Sequence, residues 1–223
     1  METPGPASVS GQPRTMPLSL FVFALFYGGM TVLSGVLGNK QVALGPLAVE
    51  AGIFGFLLLV VLSSAVAELH GRAMANRLVL IGFAPLLGSM LLILLVLGLP
   101  AADDMDPARL AGFQLILGQS PRLMVAGIIA YGVSQFLNVT IFSRLRGARG
   151  GRLLAFRGAV ASALSQVIDT LLFISIAFIG VFPIWQLLVG QMLAKVVLSL
   201  VVVPFLIVGA VKLGRRLDGT NGA

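Results

Sequence analysis

Residues 130–180 read AYGVSQFLNVTIFSRLRGARGGRLLAFRGAVASALSQVIDTLLFISIAFIG. They comprise an apolar segment with Gln135 and Asn138, a basic segment from Arg144 to Arg152, and a second apolar segment with Asp169 near its middle. A carboxylate midway along roughly 20 apolar residues is hard to place in a water-soluble domain. In a lipid bilayer, the same pattern predicts two spanning helices that are joined on the cytoplasmic side.

The composition of the whole chain agrees with this prediction. Of its 223 residues, 58% are hydrophobic and 10% are charged, whereas soluble domains carry about 25% charged residues. A soluble protein with an unusually large core would still need a polar surface, and the sequence has too few polar residues for one. The composition therefore indicates an integral membrane protein.

Several classes of site are excluded by what the sequence lacks. The absence of cysteine excludes disulfides, thiol catalysis and cysteine-based metal centres, and the single His70 cannot build a histidine-rich metal site. We therefore predict neither a metal nor a cofactor. The net charge of +7 is better explained by arginine and lysine in cytoplasmic loops than by a nucleic-acid partner.

Hydropathy predicts an all-α membrane protein with six transmembrane helices. Residues 1–16 form a polar tail that we expect to be disordered, residues 17–213 form the transmembrane domain, and residues 214–223 form a second tail. A short surface helix is expected from Ala108 to Gly118. The predicted spans are about 17–37, 47–67, 78–99, 122–143, 158–181 and 184–211.

The basic residues predict the orientation. Eleven of the fifteen fall on the side of the termini, three fall on the other side, and Lys195 lies within the last span. Because positive charge is retained in the cytoplasm, both termini are predicted to be cytoplasmic. The eleven are Arg14, Arg72, Arg77, Arg144, Arg146, Arg149, Arg152, Arg157, Lys212, Arg215 and Arg216.

Asp169 and Lys195 are the two ionisable residues predicted near the middle of the membrane. Inserting either charged side chain at that depth costs about 2.5–3.5 kcal/mol, so each needs a partner or a function. Helical spacing adds further polar residues, and we expect all of them to converge on one cavity. Alternatively, Asp169 and Lys195 neutralise each other and only tie two helices together. The two interpretations are compatible if substrate inserts between the charges. The added residues are Ser165, Gln166, Gln191, Gln135 and Asn138.

Other polar residues are weaker candidates. Glu68 and His70 fall at the cytoplasmic end of the second span, where a solvated interface is at least as plausible as a site. The arginines from Arg144 to Arg157 are interpreted first as topology signals and anchors for anionic lipids. Asn39 lies at the outer end of the first span, in either a solvated turn or a path for substrate.

An ordered set of short motifs resembles the queuosine precursor transporters of the vitamin uptake transporter family. The resemblance runs from about Leu33 to Leu213 and is densest from Ser120 to Phe178. The motifs are Gly38-Asn-Lys-Gln41, Ala67-Glu-Leu-His-Gly71, Ser120-Pro-Arg122, Ala130-Tyr-Gly-Val-Ser-Gln135, Ile141-Phe-Ser-Arg-Leu-Arg146, Arg157, Ser165-Gln-Val-Ile-Asp-Thr170, Ile176-Ala-Phe178, Lys195 and Pro204.

The resemblance implies a bacterial inner-membrane protein, similar in fold to the substrate-binding subunits of energy-coupling-factor transporters. The implied substrates are 7-cyano-7-deazaguanine and 7-aminomethyl-7-deazaguanine, which are salvaged for queuosine in transfer RNA. The family's polar stripe maps onto Ser165, Gln166, Asp169 and Thr170, and its lysine maps onto Lys195. This chain departs from the family at Ser64 and Asn138, where acids are usual, so it lacks any ion-coupling or amine-binding role that those acids have.

The chemistry of the base fits these residues. A carboxylate such as Asp169 can accept hydrogen bonds from N1–H and from the 2-amino group together. Gln166, Gln135 and Asn138 can bond the carbonyl and the ring nitrogen, and Phe136 or Phe173 can stack on the ring.

The sequence raises three modes of action. The first is an importer that exposes a midplane cavity to each side in turn. The second is a binding subunit that depends on a separate ATP-driven module, and either mode leaves open a homo-oligomer and a different purine or vitamin as substrate. A membrane enzyme is poorly supported, because the chain has no recognisable arrangement around a nucleophile.

Overall fold

The computed structural model describes residues 16–45, 47–118, 121–149, 153–180 and 184–219. The predicted tail of residues 1–16 lies outside them except for Met16. In chain order, the elements are α1 (Leu18–Leu37), β1 (Gln41–Leu44), β2 (Leu47–Glu50), α2 (Gly52–His70), α3 (Arg72–Gly98), α4 (Pro107–Leu117), α5 (Pro121–Arg149), α6 (Leu154–Phe178), α7 (Trp185–Val201) and α8 (Val203–Leu217).

Five of these helices are long and apolar enough to cross a membrane, namely α1, α2, α3, α5 and α6. The predicted sixth span is present as two helices, α7 and α8, which meet at a bend of 45°. Pro204 lies in the first turn of α8, and because proline has no N–H, the backbone hydrogen-bond ladder is interrupted there. The chain is therefore a multi-pass helical membrane protein with five or six spans.

The predicted start of the second span at residue 47 is wrong, because residues 41–50 form an antiparallel hairpin. Its register pairs Gln41 with Glu50 and Leu44 with Leu47, and Gly45 takes a positive φ of 61° at the turn. Hydropathy averaged over about 19 residues cannot separate this short apolar hairpin from the helix behind it. The hairpin places Glu50 beside α7 instead of in a helical first turn.

The junction between α2 and α3 is tighter than the sequence suggested. Gly71 ends α2 with φ 86°, a backbone conformation that favours glycine, and α3 begins at the next residue. Residues 68–77, which separate the second and third predicted spans, are thus the end of α2 and the first turns of α3. Between α3 and α5, the expected short helix is present as α4, and the Asp106 side chain accepts a hydrogen bond from the Ala108 N–H at 3.0 Å.

The basic segment is also more helical than expected. Helix α5 continues to Arg149 and α6 begins at Leu154, so most of the predicted loop is helix. Residues 150–152 lie outside the described ranges. At the other end of the chain, α8 continues to Leu217, past residue 213, at which the predicted transmembrane domain ends.

Helix α2 is the centre of the bundle. Its apolar window is 72% buried, against 11% for α3, so α3 presents most of its surface to lipid. The first and last helices meet beside the end of α2, where the Ser19 hydroxyl donates to the Asp218 carboxylate at 2.6 Å and lies 2.7 Å from His70 Nε2. We call this the termini end of the bundle and the opposite one the hairpin end.

Close packing of α1 against α2 depends on glycine. A Cβ added at Gly52 would stand 2.7 Å from the Ser34 carbonyl oxygen and 3.2 Å from the Gly38 Cα. Both neighbours are backbone atoms, which cannot rotate away as a side chain can. Small residues at such contacts let membrane helices approach closely.

We therefore expect Gly52→Ala to lower the thermal stability of the purified protein, at a cost of about 1–3 kcal/mol for the forced overpacking. Gly29→Ala is the matched control, since a Cβ at this exposed helical position meets nothing within 4 Å. The control should leave the melting temperature in detergent unchanged or slightly raised. Equal melting temperatures for the two variants would contradict the proposed close contact between α1 and α2.

Candidate functional site

A buried ion pair joins α6 to α7. Lys195 Nζ donates to Asp169 Oδ2 at 2.8 Å, and the Ser134 hydroxyl of α5 donates to Asp169 Oδ1 at 3.1 Å. Asp169 lies nine residues before the end of α6, and Lys195 lies ten residues after the start of α7. At 1.5 Å per residue, these offsets are about 14 and 15 Å. The pair thus lies deep in the bundle, at one level on two antiparallel helices, and it forms the tie between helices that was the alternative interpretation of the sequence.

The ion pair forms one wall of a narrow cavity, which we call the inner cavity. Its empty volume, including the mouth, is about 450 Å³. The walls come from β2, α2, α5, α6 and α7, so the site draws on distant parts of the chain. The lining residues are Val49, Glu50, Ile53, Phe56, Gly127, Ala130, Asp169, Phe173, Gln191 and Lys195.

The inner cavity adjoins a wider space at the hairpin end, which we call the outer chamber. Its empty volume, including open solvent, is about 1160 Å³. Glu50, Phe56, Gly127 and Phe173 line both spaces and so mark the boundary between them. The remaining walls come from the second halves of α1 and α3, the end of α4 and the first half of α5. The two spaces thus lie side by side between the hairpin end and the ion pair.

Glu50 is the second carboxylate of the inner cavity. Burial raises the pKa of this carboxyl. The Lys195 ammonium and a hydrogen bond from Gln191 oppose the rise, and the Asp169 carboxylate adds to it. The result is a carboxyl with a pKa above its usual value, held on a hairpin at the boundary of the two spaces.

A second set of polar side chains continues from the ion pair toward the termini end. Ser134, which bonds Asp169, is followed in α5 by Gln135, whose Oε1 accepts a hydrogen bond from the Ser63 hydroxyl at 3.3 Å. One turn further along, the Asn138 amide donates to the hydroxyls of Ser63 and Ser64, at 3.2 Å each. These four residues, 63, 64, 135 and 138, are buried and we call them the polar column.

The polar column ends near a second buried ion pair. Arg157 Nη2 of α6 lies 2.9 Å from Glu68 Oε2 of α2, and the Arg157 guanidinium lies 4.3 Å from the centre of the Phe142 ring. Arg157 Nε also donates to the Phe142 carbonyl at 3.2 Å. Expecting Arg157 to anchor lipid was therefore wrong, because only 1% of it is exposed. Glu68 is likewise buried and paired, instead of lying in a solvated interface.

The structure divides the predicted site residues into two groups. Asp169, Lys195 and Gln191 line the inner cavity and Asn39 lines the outer chamber, whereas Gln135 and Asn138 belong to the polar column. The expected single cavity is thus a cavity and a column that meet at Ser134.

Two further predicted residues face the packed interior of α6. The Ser165 hydroxyl donates to the Ser162 carbonyl at 2.9 Å, and Gln166 is buried with its Oε1 lacking a hydrogen-bond partner in the described part of the chain. Asn138 Oδ1 is in the same situation. An unpaired buried acceptor costs about 1–3 kcal/mol, so these two oxygens are positions at which water or a ligand N–H would be stabilised.

Sequence reasoning missed Glu50 and Phe56. The predicted span of residues 47–67 places Glu50 in the first turn of a helix, where an acid needs no further explanation. The available signal was an acid between two apolar segments. Of the two aromatic residues suggested for stacking, Phe173 lines both spaces, whereas Phe136 lines a shallow groove on the outer face of α5.

Comparison with known proteins places this site in a family. A family model described as "Putative vitamin uptake transporter" matches residues 50–209. The chain belongs to this vitamin uptake transporter family. It is also 30% identical over 193 residues to a Bacillus subtilis (strain 168) protein named "Probable queuosine precursor transporter", in a match that covers 84% of this chain and 82% of that protein. The resemblance seen in the motifs is thereby confirmed, while no solved structure matches.

The buried pair near the termini end gives a stability prediction. Arg157→Gln removes the cation that lies 2.9 Å from Glu68, and breaking such a pair typically costs about 3–5 kcal/mol. The matched control is Arg144→Gln, since Arg144 is exposed near the end of α5 and such changes stay within about 0.5 kcal/mol. Thermal unfolding in detergent should separate the two variants clearly. If both unfold at the wild-type temperature, the pair does not hold α2 to α6.

Proposed function

We propose that this protein is an importer of queuosine precursors, the deazaguanine bases 7-cyano-7-deazaguanine and 7-aminomethyl-7-deazaguanine. The observation that carries the proposal is the inner cavity, where a buried carboxylate, a lysine and two aromatic rings line one narrow space. The family membership and the name of the Bacillus subtilis relative support the same substrate class.

The cavity chemistry suits a flat heterocycle with donors on one edge. Each Asp169 oxygen already accepts one hydrogen bond, and a carboxylate oxygen has room for a second. Asp169 is therefore able to accept both N1–H and the 2-amino group of a deazaguanine. Lys195 has further N–H groups for the ring carbonyl, and Phe56 and Phe173 offer faces on which the base stacks. Because the inner cavity is narrow, the base lies at the boundary with its edge turned toward Asp169.

In the proposed transport cycle, the base enters through the outer chamber and leaves past the polar column. In the proposed orientation, the termini end faces the cytoplasm of a bacterium and the hairpin end faces outward, as the distribution of arginine and lysine favours. The outer chamber then admits the base from outside. The polar column and the Glu68–Arg157 pair close the inward half, and their separation exposes the base to the cytoplasm. The unpaired oxygens of Asn138 and Gln166 accept N–H groups of the passing base or of water.

Asp169 provides the test of recognition. Asp169→Asn should weaken binding of 7-cyano-7-deazaguanine at least about tenfold, because the amide presents an N–H₂ group where the base needs an acceptor. Affinity is measured as ligand-dependent thermal stabilisation of the purified protein. The matched control, Asp104→Asn, changes an exposed acid and should bind like the wild type.

A double variant separates recognition from the structural role of the ion pair. Asp169→Asn with Lys195→Gln removes both charges, so it should recover part of the stability that either single variant loses. Its ligand affinity should remain lost. In a strain that cannot synthesise the base, wild-type protein should restore queuosine in transfer RNA, whereas Asp169→Asn should not. Equal restoration by both proteins would contradict the role of Asp169 in recognition.

Reconstitution of the purified protein tests the mode of action. The wild-type protein, reconstituted alone in lipid vesicles, should accumulate or equilibrate the labelled base. Binding without any movement of the base in these vesicles would instead favour a binding subunit that depends on an ATP-driven module.

A further inference from the structure

The charges that line the inner cavity do not balance. Three of its residues are ionisable, namely Glu50, Asp169 and Lys195. Lys195 forms its ion pair with Asp169 at 2.8 Å, and no cation of the described residues lies within ion-pair distance of Glu50. When all three are ionised, the cavity holds one negative charge in excess, and Glu50 carries it.

Glu50 is also placed where a ligand must pass. It lines both the inner cavity and the outer chamber, and it is the only charged residue among the described residues that line the chamber. Gln191 donates one hydrogen bond to it, whereas a carboxylate has about four acceptor positions. The antiparallel pairing of β2 with β1 fixes its backbone. The carboxyl group is therefore held in place with unused acceptor positions.

We infer that Glu50 forms a subsite for a protonated primary amine on the ligand, while Asp169 binds the heterocycle. The inference rests on the proposed function and selects between the two proposed substrates. Both bases present the same heterocyclic edge to Asp169, but only the 7-aminomethyl base carries a positive charge near neutral pH. Hydrogen bonds between charged groups are roughly twice as strong as neutral ones, so the cavity prefers the aminomethyl base.

The electrostatics of Glu50 agree with this assignment. Burial raises the pKa of its carboxyl, which means that the ionised form is disfavoured in the empty cavity. A bound ammonium group compensates for that cost, so amine binding and ionisation of Glu50 support each other. The charged groups that act on Glu50 are Lys195 of α7 and Asp169 of α6.

A pH series identifies the contribution of Glu50 to ligand binding. As the pH falls toward the pKa of Glu50, protonation removes the acceptor charge, and binding of the aminomethyl base should weaken. Any change at Asp169 would affect both bases alike, because both present the same heterocyclic edge to it. The ratio of the two dissociation constants therefore reports on Glu50 alone, and this ratio should shift toward the cyano base at lower pH.

The decisive experiment measures the dissociation constants of both bases for the full-length protein in detergent, with and without Glu50→Gln. We expect the variant to lose about tenfold or more in affinity for the aminomethyl base, as the loss of a charged hydrogen bond implies. Its affinity for the cyano base should fall by much less, so that the ratio of the two dissociation constants shifts toward the cyano base. Asp104→Asn serves as the control and should leave both constants unchanged.

Three results would overturn the subsite. Glu50→Gln could weaken both bases equally, or affect neither, or the wild-type ratio could be independent of pH. The pH series uses unaltered protein, so it decides the question even if the variant does not fold. If only the subsite is wrong, the wild-type protein still binds the cyano base. If the wild-type protein binds neither base, both the proposed function and the subsite are wrong.

Discussion

The ion pair between Asp169 and Lys195 is the constraint on which the rest of the bundle depends. Either charge alone would cost about 2.5–3.5 kcal/mol at mid-membrane depth, and the pair offsets this cost only if α6 and α7 stay in register. Ser134 of α5 completes the arrangement by donating to the same carboxylate. Three helices are thus tied to one acid, and the cavity beside it is shaped by that tie.

The polar interior is arranged differently toward the two ends. Toward the hairpin end, the interior opens through the boundary formed by Glu50, Phe56, Gly127 and Phe173 into the outer chamber. Toward the termini end, the interior is filled by short hydrogen bonds and then by the Glu68–Arg157 pair. A bundle that is open on one side and filled by polar contacts on the other has the asymmetry that the proposed alternating exposure requires. The Ser19, His70 and Asp218 contacts add a second tie at the closed end.

The sequence predicted the helices well and the site only in part. Long apolar segments determine five spans, and the antiparallel arrangement of the last predicted spans was enough to place Asp169 and Lys195 at a similar depth. The hairpin was missed because its residues are as apolar as the helix that follows. Because of this error, the position of Glu50 in the cavity was not predicted, since that position depends on β2 lying against α7. The burial of Arg157 was missed for a similar reason: an arginine near a basic segment gives no signal of its partner, which lies on α2, 89 positions earlier in the chain.

The central proposal is that Asp169 lies within the membrane because its carboxylate accepts hydrogen bonds from the edge of a deazaguanine base. It is tested most directly on the unaltered protein by comparing 7-cyano-7-deazaguanine with the analogue that lacks only the 2-amino group. A site built to bond that group should reject the analogue strongly, because an acceptor is left unpaired. The account predicts a clear rise in melting temperature with the first compound and a loss of affinity of at least about tenfold with the second. Equal stabilisation by the two compounds would contradict it.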